Sequence, residues 1–161
     1  MKTAYIPIPF GRETQGGPII RIVYHCMGEF IRDKDGQVYY CVDWLKHEGI
    51  SVHAFATPSG VIIRSRRDDQ RAWHARGFNT GSLGIEFLVP GIHDIYSLRE
   101  AIKEPYTTDI QMQAGIEQTR EWLVKHRAIA HVDEHRELTP EKPDMGDGFQ
   151  KQIYLEGIGW A

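Results

Sequence analysis

An imidazole, an ammonium and a carboxylate lie close together in His135-Arg136-Glu137-Leu138-Thr139-Pro140-Glu141-Lys142-Pro143-Asp144-Met145-Gly146. Pro140 and Pro143 bar a continuous helix, so the stretch is expected to be extended or turning. Residues two apart in an extended chain share a face, which lets Lys142 and Asp144 look into one pocket. His135 and Asp144 are candidate metal ligands, with Lys142 beside them as a fixed positive charge. A catalytic zinc site needs one more protein ligand and an open position for water.

Two strands elsewhere carry groups that could complete such a site. Ile19, Ile20, Ile22, Val23 and Tyr24 form a nearly continuous apolar run, the pattern of a strand buried on both faces. His25 stands at the end of that run and is the candidate third ligand; the competing reading is a core histidine bonded to backbone. Leu83, Ile85 and Phe87 alternate with Gly84, Glu86 and Leu88. Glu86 is thus a carboxylate in an apolar strand, where unpaired burial would cost several kcal/mol and lift its pKa toward that of a general base. The competing reading is a glutamate at a sheet edge facing solvent. Arg71-Ala72-Trp73-His74-Ala75 offers an aromatic pair that either lines a groove for a sugar or peptide or pins a loop to the core. Asn79-Thr80-Gly81-Ser82 is turn chemistry.

The elements that must position these groups follow from pattern. Met1 to Pro18, rich in Pro and Gly, reads as an irregular arm. Asp35-Gly36 marks a turn or the lead-in to a helix. Val38, Cys41, Val42 and Leu45 recur at helical spacing, and the helix should stop near Gly49. Ser51–Ala56 and Val61–Arg64 flank Thr57-Pro58-Ser59-Gly60 as an antiparallel hairpin, with His53 read as a partly exposed strand residue. Pro90 to Pro105 reads as a loop with a short turn near Leu98. Thr108 and Gln111 have capping-box spacing ahead of a helix whose apolar face is Ile110, Ala114, Ile116, Thr119, Trp122 and Leu123. Ala128–Val132 returns as a strand, and the tail 149–161 is expected to pack on the domain.

The whole chain sets bounds. Its 161 residues suit one domain with a proper core. An apolar fraction of 41% and a charged fraction of 25% are ordinary for a globular protein. The net charge of -3 gives no electrostatic case for nucleic acid or an anionic membrane. Two cysteines make no disulfide framework; Cys26 and Cys41 could pair, and are read instead as two free buried thiols. No leading basic-then-apolar run and no bilayer-length apolar stretch are present, so a cytosolic location is expected, with release to the cell wall by other means if needed. A monomer is expected.

The chain resembles the type 2 N-acetylmuramoyl-L-alanine amidases, the group of phage lysozyme-amidases, anhydromuropeptide amidases and peptidoglycan recognition proteins. The resemblance runs from about Ile20 to Gly148. It rests on Ile22-Val23-Tyr24-His25-Cys26, Ser51-Val52-His53-Ala54-Phe55, Arg71-Ala72-Trp73-His74-Ala75, Asn79-Thr80-Gly81-Ser82-Leu83-Gly84-Ile85-Glu86 and His135 to Gly146, in that order. It implies an α/β fold, a single domain with a central mixed β-sheet flanked by helices and zinc in a surface groove. It implies zinc ligands at His25, His135 and Asp144 and a catalytic Glu86 and Lys142. Trp73, His74 and Asn79 are candidates for binding substrate. The implied activity is zinc-dependent hydrolysis of the amide between N-acetylmuramic acid and the stem peptide's L-alanine, in peptidoglycan or a soluble muropeptide. Glu141 stands where relatives are often basic, and Met145 where proline is common.

Two other readings compete. Some relatives of this kind bind peptidoglycan without cutting it, typically after losing a zinc ligand. His131-Val132-Asp133-Glu134-His135 also matches the H-x-x-E-H pattern of inverted zinc peptidases. That pattern needs a helix to bring both histidines to one face, whereas Ala128-Ile129-Ala130 reads as a strand.

Overall fold

The computed structural model describes residues 1–160. Seven strands form one mixed sheet: β1 (Lys2–Tyr5), β2 (Arg21–Arg32), β3 (Val38–Tyr40), β4 (Ala54–Ala56), β5 (Val61–Arg64), β6 (Ser82–His93) and β7 (His131–Glu134). The helices are α1 (Cys41–Glu48), α2 (Ile95–Ala101), α3 (Asp109–Lys125), α4 (His135–Leu138) and α5 (Lys151–Ile158). The strand order is β1-β5-β4-β6-β2-β3, and β7 also pairs with β2. β2 lies parallel to β6 and β7 and antiparallel to β3. The expected hairpin is present as antiparallel β4 and β5.

β2 is the organising strand. Ile22, Val23 and Tyr24 are fully buried, as a run apolar on both faces requires. One of its edges is shared: β7 pairs with residues 21–24 and β3 with residues 30–32. The stretch between, which begins at His25, meets the loop that follows β7. The strand runs well past His25, so this residue sits within β2 rather than at its end. β2 extends because β6 runs alongside it for the same distance.

Two layers cover the sheet. On one face α3 and α5 pack with Tyr24, Ile85, Phe87, Trp122, Met145, Phe149 and Tyr154. On the other, α1 places Cys41, Val42 and Leu45 against Met27, Val52, Phe55 and Leu88. α1 ends at Gly49, whose φ of 68° is the left-handed cap conformation glycine adopts freely. Val38 belongs to β3 rather than to this helix. The tail packs on the domain through Tyr154 and Ile158 of α5. Among the described residues Cys26 and Cys41 are free and buried, and no helix is long and apolar enough to cross a membrane.

Several expectations are corrected. The arm 1–18 is not irregular throughout: Lys2–Tyr5 pairs in parallel with β5 at the sheet edge, and Pro7 and Pro9 come after the strand, where no ladder donor is needed. Pro90 does not end β6. Gly28 pairs with Val89 and Phe30 with Ile92, so Pro90 and Gly91 stand opposite Glu29 alone. Such a bulge accommodates a proline. The segment after it is α2, capped by Asp94, whose side chain accepts from the backbone N–H groups of Tyr96 and Ser97. The Thr108–Gln111 capping box is present on α3, yet Ile110 is exposed. Gln111 is buried instead, donating to the carbonyls of Ala56 and Leu88 at 2.8 Å each. His53 is fully buried rather than partly exposed.

Candidate metal centre

Strand register builds the site. Tyr24 pairs with Glu134 across β2 and β7, so the residues that follow them, His25 within β2 and His135 at the start of α4, come side by side. Across β2 and β6 His25 is the partner of Glu86. The loop after α4 returns Asp144 to the same point, its backbone carbonyl accepting from Arg136 N at 3.1 Å.

Three side chains converge. Nδ1 of His25 lies 3.0 Å from Nδ1 of His135 and 3.3 Å from Oδ2 of Asp144. Nδ1 of His135 lies 2.9 Å from the same oxygen. His25, His135 and Asp144 are 2%, 7% and 9% exposed. Tetrahedral zinc with bonds of about 2.0–2.1 Å needs donors about 3.3–3.4 Å apart, and these three fit within a few tenths of an ångström. Two imidazoles and a carboxylate are also a donor set that zinc accepts. They are the one cluster of metal-ligating type found among the described residues.

Electrostatics agree with a cation site. Burial works to raise the Asp144 carboxyl, but the bonds from His135 and His25 outweigh it and hold it well below the usual carboxylate range. Burial lowers His25, favouring the neutral imidazole that binds metal. Burial raises Glu86 well above its ordinary value, and the Asp144 charge adds to this. Oε2 of Glu86 is buried with no hydrogen-bond partner among the described residues. A buried oxygen left unpartnered is costly and is what a base awaiting a proton would present.

The ligand loop is anchored from behind. The Glu134 carboxylate accepts from Met145 N at 3.2 Å and from Lys151 Nζ at 3.3 Å, and it pairs with Arg136. The Met145 carbonyl accepts from the Tyr106 hydroxyl at 3.0 Å and the Cys26 thiol at 3.6 Å. In front, Lys142, His135, Trp73, Arg76, Asn79 and Ile50 help line a hollow of about 360 Å³. Two residues beyond His25 on β2, Met27 lines a larger hollow of about 610 Å³ with Trp44, Ile95 and Tyr96.

The remaining site candidates are placed as follows. Lys142 and Trp73 are exposed at the hollow. Asn79 accepts at Oδ1 from the backbone N–H groups of His74 and Ala75, at 3.0 and 2.8 Å. His74 has both ring nitrogens engaged by protein, at His25 and Ser82. His131 is exposed on β7, while Glu134 is buried in the ion network above. The H-x-x-E-H stretch therefore crosses from strand to helix and cannot present both histidines on one helical face. His53, Ser82 and Gly84 form a layer behind His74, which itself meets His25, and sequence reasoning missed it. The signal available was Gly84, since a glycine inside a strand marks close approach by another group.

Comparisons with known proteins agree with this architecture. The chain is similar in fold to the endolysin N-acetylmuramoyl-L-alanine amidase LysCS from Clostridium intestinale URNW, at 21% identity, covering 99% of this chain and 97% of that one, with a TM-score of 0.73. It is similar to a selenomethionine derivative of AmpD, at 21% identity, 98% and 94% coverage and a TM-score of 0.73. It is also similar to Drosophila peptidoglycan recognition protein SD, at 15% identity, 100% and 97% coverage and a TM-score of 0.67. No curated protein sequence matches the chain. The family described as N-acetylmuramoyl-L-alanine amidase matches residues 15–147, most of the chain, and the chain belongs to that family.

Proposed function

We propose that this protein is a zinc-dependent peptidoglycan amidase that hydrolyses the amide between N-acetylmuramic acid and the L-alanine of the stem peptide. The observation that carries the reading is the meeting of His25, His135 and Asp144 within 3.3 Å of one another beside the buried Glu86. Family membership supports the substrate class.

His25, His135 and Asp144 would hold the zinc. Bound there, it would lower the pKa of a water toward about 7 and polarise the scissile carbonyl. Glu86 would accept a proton at its unpartnered oxygen and deliver it to the leaving amine. A neighbouring dication would offset the burial that raises this carboxyl, leaving a base suited to neutral pH. Lys142, at the hollow, would stabilise negative charge developing on the carbonyl oxygen. Trp73 would offer its flat face to a sugar or peptide, and Asn79 would hold the loop that carries it. The hollow at Met27 and Trp44 would take the stem peptide.

The reading extends to an endolysin, as LysCS is described, acting on the intact wall. The test is zinc content together with release of stem peptides, followed by mass spectrometry, from intact sacculi and from a soluble anhydromuropeptide in parallel. Cleavage of the soluble fragment alone would make it a recycling enzyme. Stoichiometric zinc without cleavage of either would leave a peptidoglycan-binding module.

A further inference from the structure

His25 makes a second contact, on the side of its ring away from the ligand cluster. Its Nε2 lies 2.9 Å from Nδ1 of His74, and Nε2 of His74 lies 3.1 Å from Oγ of the fully buried Ser82. We infer that His74 is a positioning residue for the metal centre, which accepts the Nε2 proton of His25 and so holds His25 in the one tautomer whose Nδ1 lone pair faces His135 and Asp144. The inference rests on the metal reading above and assigns this role to a residue that need not touch substrate.

The proton assignments follow from one another. A neutral imidazole carries one proton. For Nδ1 of His25 to bind a cation, that proton must sit on Nε2, and the nearest acceptor is Nδ1 of His74. His74 must then carry its own proton on Nε2, where Ser82 Oγ accepts it. Metal-binding histidines commonly donate their second N–H to a carboxylate, a backbone carbonyl or water. A neutral imidazole as acceptor adds no further negative charge beside Asp144 and Glu86.

Backbone architecture points the same way independently. A Cβ placed on Gly84 would lie 2.6 Å from Nδ1 and 2.8 Å from Cγ of His74. β6 thus omits a side chain just where the His74 ring lies, two residues before Glu86 on the same face. Any side chain there would push the ring away from His25. Asn79 fixes the backbone of His74 at N. The His53 ring meets the His74 ring edge-on at 5.9 Å, with Nδ1 of His53 accepting from Gly84 N at 3.0 Å.

Competition with a fluorescent chelator measures zinc affinity near neutral pH, with the metal alone as probe. His74→Phe removes the acceptor and keeps the bulk; it is expected to weaken zinc binding about 10–100-fold. His74→Asn is smaller but places Oδ1 near the position of Nδ1; it is expected to stay within about threefold of the unsubstituted protein. A space-filling role would reverse that order. Gly84→Ala, which displaces the ring without deleting it, is expected to weaken zinc as His74→Phe does. Equal affinity in His74→Phe and the unsubstituted protein would overturn the inference alone. No zinc in the unsubstituted protein would overturn the metal reading and this inference together. If His74→Phe fails to fold, nitrogen-15 NMR of the zinc-loaded unsubstituted protein decides. A proton on Nε2 of both His25 and His74 supports the assignment, and one on Nδ1 of His74 overturns it.

Discussion

His25 and Glu86 are direct partners in the parallel pair of β2 and β6. Residues so paired project to the same face, so a candidate ligand and a candidate base stand side by side without help from any loop. The same β2, through Tyr24 and Glu134, brings His135 to the other side of His25. The positions of the imidazoles and of the base are therefore set by sheet register, the most strongly specified feature of a buried sheet. Only Asp144 and Lys142 depend on a loop.

Glu86→Gln tests the base. The amide keeps the shape of the side chain but cannot take up a proton. Zinc content is expected to stay stoichiometric while kcat for stem-peptide release falls by about 10²–10⁴-fold. Elemental analysis and a muropeptide assay on one preparation read both. Loss of zinc from this variant would make Glu86 a ligand and not a base.

His135→Ala tests the cluster itself. The substitution removes one donor and leaves Asp144 with His25 as its remaining close partner. Zinc and turnover are expected to be lost together. Zinc retained at full affinity would mean that the ion binds elsewhere.

The central strands were legible because burial on both faces leaves a continuous apolar run, as in Ile22 to Tyr24. The α3 cap was legible because Thr108 and Gln111 act through local backbone groups. The passage of β6 through Pro90 was hidden, since the bulge that admits the proline is a property of the pair and not of one strand. α2 was missed although Asp94 and Ser97 announce it, because Pro90 and Gly91 just ahead read as loop. Convergence of residues as distant as His25 and Asp144 is not encoded in any local spacing; the strand pattern offered His25 only as a candidate beside a core-histidine reading, and the family resemblance chose between them. His53 was misread as partly exposed, although it is fully buried behind the half-buried His74. A histidine's polarity does not reveal that a glycine opposite has cleared space for its ring.

His53 gives the fold a dependence on pH. Burial lowers its pKa to about 4, against the opposing bond to the Gln70 carbonyl. Its unfolded value is about 6.5. Between these values the unfolded chain binds the extra proton, so stability falls as pH drops from about 6.5 toward 4. The loss between pH 7 and pH 5 is expected to be about 2 kcal/mol, read as the difference in urea-unfolding free energy. His53→Gln, which does not titrate, is expected to remove most of that slope. An unchanged slope would assign it to other groups.

Lys142 separates charge stabilisation from metal binding. Its backbone N–H donates to the Thr139 carbonyl at 2.9 Å, which fixes the turn. Its side chain is exposed at the hollow next to His135 and is not among the ion pairs of the described residues. Lys142→Met keeps the backbone bond and much of the side-chain length while deleting the ammonium. If that ammonium stabilises the oxyanion, it acts in the transition state and not on the resting metal or the bound substrate. The variant is expected to hold zinc with unchanged affinity and to show a KM close to that of the unsubstituted protein. Its kcat is expected to fall about 10²–10³-fold, the usual cost of losing one oxyanion donor. A raised KM with kcat unchanged would instead make Lys142 a substrate-binding residue.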